Sequence, residues 1–147
     1  MKRVLVESPY RGNNYNNVEL NVRYGCACLR DCLLRDEAPF ASHLLYTLNG
    51  VFDDKNPAER EKGIKAGWAW GEAAELSAFY VDLITDWKHF VGIARGYKRA
   101  IEKSRPVEFR NLPDDVLNLL DSRIVPDRKP IDVLVRELSI FLESLKE

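Results

Sequence analysis

Four short apolar runs, spaced far enough apart for a helix to fit in each gap, constrain this chain more than any other feature. They are Val4-Leu5-Val6, the stretch from Pro39 to Ser42, Ala78-Phe79-Tyr80-Val81-Asp82, and Pro106-Val107-Glu108-Phe109. The first is β-branched and stops at Ser8-Pro9-Tyr10-Arg11-Gly12, which suits a buried strand better than a helix. The last carries its own proline and reads as a short edge strand. Strands alternating with helix-length segments predict a parallel sheet covered on both faces. Right-handed crossovers make that a doubly wound α/β layer of four or five strands. In such sheets ligands sit beyond the carboxyl ends of the strands. Here those ends are Ser8 to Gly12, His43 to Thr47, and Asp82 to Asp86.

The intervening segments carry helix punctuation. Asn16 with Glu19 makes a capping-box-like start, followed by Val18, Val22, Gly25, Leu29 and Cys32 or Leu33 at helical spacing. Asn56-Pro57-Ala58-Glu59 offers a cap, a proline at the first helical position and Glu at the third. Ile64, Trp68, Gly71 and Ala74 or Glu75 carry that helix to about Glu75, with Trp68 in the core and Trp70 at its rim. Asp86 is the expected cap of a third helix, whose apolar line is Phe90, Ile93, Tyr97, Ala100 and Ile101. Beyond residue 110, Pro113 and Pro130 each open a helix. In the second, Ile131, Leu134, Leu138, Phe141 and Leu145 form a heptad seam widened by Val135 and Leu142. The chain therefore divides into an α/β layer, 1–110, and a C-terminal helical pair, 111–147, extending the same domain. The seam packs on its own sheet or completes a homo-oligomer interface.

Composition removes several functional classes. Lys+Arg number 22 and Asp+Glu 23, a balance that argues against a basic surface for a nucleic acid polymer. No apolar run approaches the roughly 18 residues of a membrane span. The start, Met1 to Glu7, is not a signal peptide. The three cysteines, Cys26, Cys28 and Cys32, crowd one segment and form neither a disulfide framework nor a zinc set, so core packing accounts for them. A reducing cytoplasm, no metal and no cofactor are expected. Neither Gly-x-Gly-x-x-Gly nor a Walker sequence is present, which argues against a dinucleotide or an NTPase loop. Ser8 and His43 are close enough in the expected topology to meet, without a nucleophile elbow around them. Phosphate has two places to bind, the polar Asn13 to Asn17 stretch and the start of the third helix.

Among chemically active residues, Asp82 ends a strand and Asp86 precedes a helix, so both are expected to face one cleft and bind hydroxyls or act as acids. His43 stands at the same edge of the sheet, and His89 opens the third helix. Tyr10 is placed to stack on a base or ribose. Asp53 and Asp54 read as solvated or as part of a lid.

Taken together, Glu7-Ser8-Pro9-Tyr10, the block Glu37 to Thr47, Gly50-Val51, Asp53-Asp54, Glu59-Arg60, Gly63-Ile64, Gly67, Trp70, Asp82-Leu83, Gly92-Ile93 and Pro106-Val107-Glu108 form a recognisable pattern. The chain resembles, over about its first 110 residues, a family of small phage and bacterial proteins related to nucleoside 2-deoxyribosyltransferases. The resemblance implies a flavodoxin-like fold, a nucleoside-type ligand and oligomeric assembly. It assigns Asp82 to the base and Asp86 to the helix start. The transferases' nucleophilic glutamate falls at Gly92, and Trp87, Lys88 and His89 replace their small residues. A glycine offers no nucleophile, so the expectation is a binder of a nucleoside- or nucleotide-like molecule rather than an enzyme. Ser8, Pro9, Tyr10, Arg11, His43, Tyr46, Asp82, Asp86, Lys88 and His89 are its expected ligand contacts. In a phage protein acting in the host cytoplasm, the resemblance extends to a sponge for a nucleotide immune signal such as an ADP-ribose derivative. The alternative is an N-glycosidic-bond enzyme, a deoxyribosyltransferase or a nucleotide N-glycosidase, with Glu7, Asp82 or Asp86 as its carboxylate. A purely structural oligomer is the third reading.

Overall fold

A computed structural model describes residues 1–12 and 17–146. Its elements alternate as the sequence pattern predicts. β1 (Lys2–Glu7), α1 (Val18–Leu34), β2 (Glu37–Phe40), α2 (Ser42–Leu45), α3 (Pro57–Gly71), β3 (Leu76–Tyr80), α4 (Val91–Glu102) and β4 (Val107–Arg110) come first. The C-terminal helices are α5 (Asp114–Leu120), α6 (Ile124–Asp127) and α7 (Ile131–Ser144). The described strands form one four-stranded parallel sheet in the order β2-β1-β3-β4. The chain runs outward from β1 to β2, returns past β1 to β3, and goes on to β4. That is the flavodoxin-like α/β fold, and its switch point falls between β1 and β3.

Alternation along the strands sorts two cores. Val4, Val6, Ala78 and Tyr80 face α1, α5 and α6, packing with Tyr24, Cys28, Cys32, Leu112, Leu117 and Ile124. Cys28 and Cys32 are free thiols buried in this core, Cys32 with its sulfur 3.3 Å from the Tyr80 hydroxyl and accepting from Arg110 at 3.6 Å, while Cys26 is exposed. On the opposite face Phe79 packs with Ile84, Trp87, Phe90, Ile93, Ala94, Leu134 and Leu138. The seam of α7 is thus spent on its own protomer: Leu134 and Leu138 are buried, and Leu134 accepts a 2.8 Å hydrogen bond from the Trp87 indole through its carbonyl. Arg110 on edge strand β4 forks onto Glu37 of the opposite edge strand, Nη1 and Nη2 each donating at 2.7 Å. That bidentate pair holds the Glu37 carboxyl below its usual range.

Local chemistry sets the boundaries, and several differ from the sequence reading. Asn17 caps α1, its side chain accepting from the Leu20 amide at 2.8 Å; the expected cap Asn16 lies outside the described residues. Asn56 caps α3 through the amides of Ala58 and Glu59, as its Asn-Pro-Ala-Glu start predicts. That helix ends at Gly71 rather than Glu75, and Trp68 is not core: it is 38% exposed, with the Arg99 guanidinium 4.4 Å above its ring. β2 runs two residues earlier than expected, which leaves Ser42 and His43 to start α2. The larger correction concerns Asp86. Its carboxylate does accept from the His89 amide at 3.1 Å, but it closes a separate turn, and α4 begins only after Phe90. Burying Ile84, Trp87 and Phe90 together keeps this segment in turns.

Candidate functional site

A cavity of about 640 Å³ opens at the carboxyl end of β1, beside the switch point, between α3 and α4. It lies within the roughly 300–1,000 Å³ of small-molecule sites. Its two helical walls are built on glycines four residues apart, Gly63 and Gly67 on α3 and Gly92 and Gly96 on α4. Packing does not require every one. A Cβ on Gly92 would meet nothing within 4 Å, and one on Gly63 would only touch Tyr46 at 3.7 Å. At those positions the missing side chains leave open volume. Gly67 differs, since its Cβ would fall 2.5 Å from the Ser42 hydroxyl; there α3 and α2 come too close for a side chain.

Glu7, the last residue of β1, points into this space on the face opposite Val6. A Cβ on Gly96 would sit 3.0 Å from its carboxylate. The carboxyl has no hydrogen-bond or ion-pair partner among the described residues. Enclosure pushes it up to about 7, only partly opposed by the charge of Arg105. Arg105 is held back from it, donating instead to the Ser77 hydroxyl and the Gly71 carbonyl at 2.7 Å each.

The β1 exit supplies the next groups. The Ser8 hydroxyl and His43 Nε2 stand 2.7 Å apart, so the strand end and α2 do bring this pair together. Enclosure lowers the His43 imidazole to about 4, leaving it neutral, so that Nε2 can accept a hydrogen bond from the Ser8 hydroxyl or from a bound hydroxyl. Buried Asn21 of α1 pins the turn beyond, its amide donating to the carbonyls of Tyr10 and Arg11 at 2.9 and 3.0 Å. That holds Tyr10 at the cavity wall with Tyr46, Phe52 and Trp68. Lys88, Arg60 and Arg95 bring positive charge to the rim, and His89 lines it beside them.

Of the expected ligand contacts, Ser8, Pro9, Tyr10, Arg11, His43, Tyr46, Lys88 and His89 all line this one cavity. Asp82 and Asp86 do not, which corrects the expectation that both face the cleft. Asp82 follows β3 and is 4% exposed. It accepts from the Tyr24 hydroxyl at 2.6 Å, the Leu112 amide at 3.0 Å and Arg128 at 3.0 Å. Burial raises its carboxyl, though those three donors oppose the shift. Asp86 is tied to His89, whose Nδ1 lies 2.8 and 2.9 Å from its two oxygens. Despite partial burial, these bonds hold its carboxyl below the usual range. Asp54, read as solvated or part of a lid, lines the cavity and pairs with two arginines. Arg60 and Arg95 were not anticipated, and Glu7 only as a substitute nucleophile. The spacing of Gly63, Gly67, Gly92 and Gly96 was the available clue to which helix faces stand open. No group of three or more His, Cys, Asp or Glu among the described residues could hold a metal ion. No helix among them is long and apolar enough to cross a membrane.

Fold and cavity together define a flavodoxin-like α/β protein with an open cavity beside its switch point. The chain belongs to the family described as a domain of unknown function, DUF7768, whose model matches residues 2–110. No curated protein and no solved structure matches it.

Proposed function

We propose that this protein binds a nucleoside- or nucleotide-like small molecule in the β1 cavity. The carrying observation is the cavity itself, where an unpartnered carboxyl at the floor, aromatic walls and a cationic rim converge at the switch point of a flavodoxin-like sheet. Tyr10 and Tyr46 offer faces for a base or sugar. Glu7, Ser8 and neutral His43 exchange hydrogen bonds with hydroxyl or amino groups, and Arg11, Arg60, Lys88 and Arg95 meet phosphate. Held without turnover, such a ligand is sequestered; a sponge for a nucleotide signal is that reading carried into a phage setting. Assembly into a homo-oligomer belongs to the same proposal, supported by Leu119 and Ile140, exposed at 83% and 67%. The unpaired Cys28 and Cys32 suit a reducing cytoplasm. Isothermal titration against nucleosides, nucleotides and ADP-ribose derivatives tests the binding: saturable heat lost in Tyr10→Ala supports it, and no heat with any of them refutes it.

One observation favours a second reading, an N-glycosidic-bond enzyme. The Glu7 carboxylate lies about 3.0 Å from where a Cβ on Gly96 would stand, and enclosure raises it to about 7, a value suited to proton transfer at neutral pH. Chromatography of nucleosides and NAD after incubation separates the two. Free base that disappears with Glu7→Gln supports the enzyme; intact ligand recovered from denatured protein supports the binder.

A further inference from the structure

The rim of the cavity holds an arrangement that neither the fold nor the floor explains. Arg11, on the turn pinned by Asn21, and Arg60, near the start of α3, both reach the side chain of Asp54. Arg11 Nε lies 3.5 Å from one carboxylate oxygen, and Arg60 Nε lies 3.5 Å from the other. Both separations exceed the roughly 2.7–2.9 Å of a strong charge-assisted bond, and neither guanidinium engages its fork. Two arginines from different elements therefore converge on one small anion that satisfies neither. Asp54 belongs to a loop fastened on its other side: Asp53 accepts from the Lys55 amide at 2.9 Å through its side chain and from the Asn56 amide at 3.0 Å through its carbonyl. The other rim acids have partners elsewhere, Glu59 at the Asp53 amide and Glu61 at Lys65. Lys88 and Arg95 make no ion pair among the described residues.

We propose that Arg11 and Arg60 form a phosphoryl-binding subsite, which Asp54 occupies from within the chain and from which a phosphate or diphosphate group displaces it. The larger tetrahedral anion spans the gap that one carboxylate bridges loosely, and its additional oxygens let each guanidinium bond in-plane. Displacement moves only the Asp54 side chain, because the loop that carries it stays fastened through Phe52 and Asp53. The subsite rests on the cavity being a ligand site, and it deepens that reading by fixing where the phosphoryl end lies: at the α3 rim, away from the Glu7 floor.

Inorganic pyrophosphate, which has neither base nor sugar, is the probe, titrated calorimetrically at constant ionic strength into the full chain. Removing the internal competitor in Asp54→Asn should tighten pyrophosphate about tenfold, the order expected when a partly exposed ion pair and a repelling charge are both removed. Arg60→Gln should weaken it by about tenfold or more. Pyrophosphate affinity in Asp54→Asn equal to or below that of the wild type overturns the proposal, as does undetectable binding to both. Should Asp54→Asn fail to fold, Arg60→Gln decides alone, and unchanged affinity there also overturns it. Failure of unphosphorylated nucleosides to bind strikes the nucleoside reading and leaves the phosphoryl subsite standing.

Discussion

Replacing Glu7 by Gln should stabilise the protein in a manner that depends on pH. An ordinary glutamate titrates at 4.5, and in the fold Glu7 is raised to about 7. The native state therefore holds the proton where the unfolded chain has released it. Stability falls as pH rises from 4.5 to 7, and the full cost is present above 7. At 1.36 kcal/mol for each pH unit the displacement amounts to about 3 kcal/mol. That is a large fraction of the roughly 5–15 kcal/mol that holds a domain folded. Glutamine keeps the shape and removes the charge. The stability of the variant minus that of the wild type should thus grow by about 3 kcal/mol between pH 4.5 and pH 8, most of it between 5 and 7. Urea unfolding followed by tryptophan fluorescence reads it, with buried Trp87 as reporter. Taking the difference cancels every other titrating group. A difference that stays constant across this range would show that the carboxyl is well solvated and would refute the argument.

Three further outcomes follow from other contacts. Arg128→Ala should cost about 3 kcal/mol at neutral pH, because Asp82 keeps its enclosure and loses its counter-charge; adding Asp82→Asn should recover part of it in a denaturation cycle, and strict additivity would argue against the pair. Gly67→Ala places a methyl within van der Waals overlap of Ser42. A loss of about 1–2 kcal/mol is expected, overpacking outweighing the gain in helix propensity, and an unchanged melting temperature would show that α2 yields freely. His43 should titrate by NMR near 4, so its contribution is present above the ordinary 6.5 and lost as pH falls toward 4. A midpoint at 6.5 would mean that solvent reaches the ring.

Local chemistry made part of this molecule legible. A β-branched run ended by Ser8-Pro9 could only be a strand meeting a loop, and Asn56-Pro57-Ala58-Glu59 states a helix start outright. Because the alternation implies a parallel sheet, the loop after β1 and the segment after β2 had to share an edge, which brought Ser8 to His43. What failed was whatever depended on distant sequence. Asp82 was expected to end its strand; β3 stops at Tyr80, and a guanidinium 46 residues onward covers the carboxylate. Asp86 has the chemistry of a helix cap and spends it on His89, because burying Trp87 and Phe90 delays the helix. Glu7 entered only as a stand-in carboxylate for an enzyme, and the room it occupies depends on Gly96 of α4, 89 residues onward, having no side chain.

The Arg128 contact reaches past the molecule's chemistry to the way its relatives are delimited. The family match stops at residue 110, two positions before Leu112, whose amide completes the Asp82 cluster. Leu117, Ile124, Leu134 and Leu138 all come later, and they cover both faces of the sheet. A fragment cut at the family border would expose Tyr24 and Phe79 to water and leave a carboxylate stripped of its cation. The folding unit of this chain therefore runs past the matched residues.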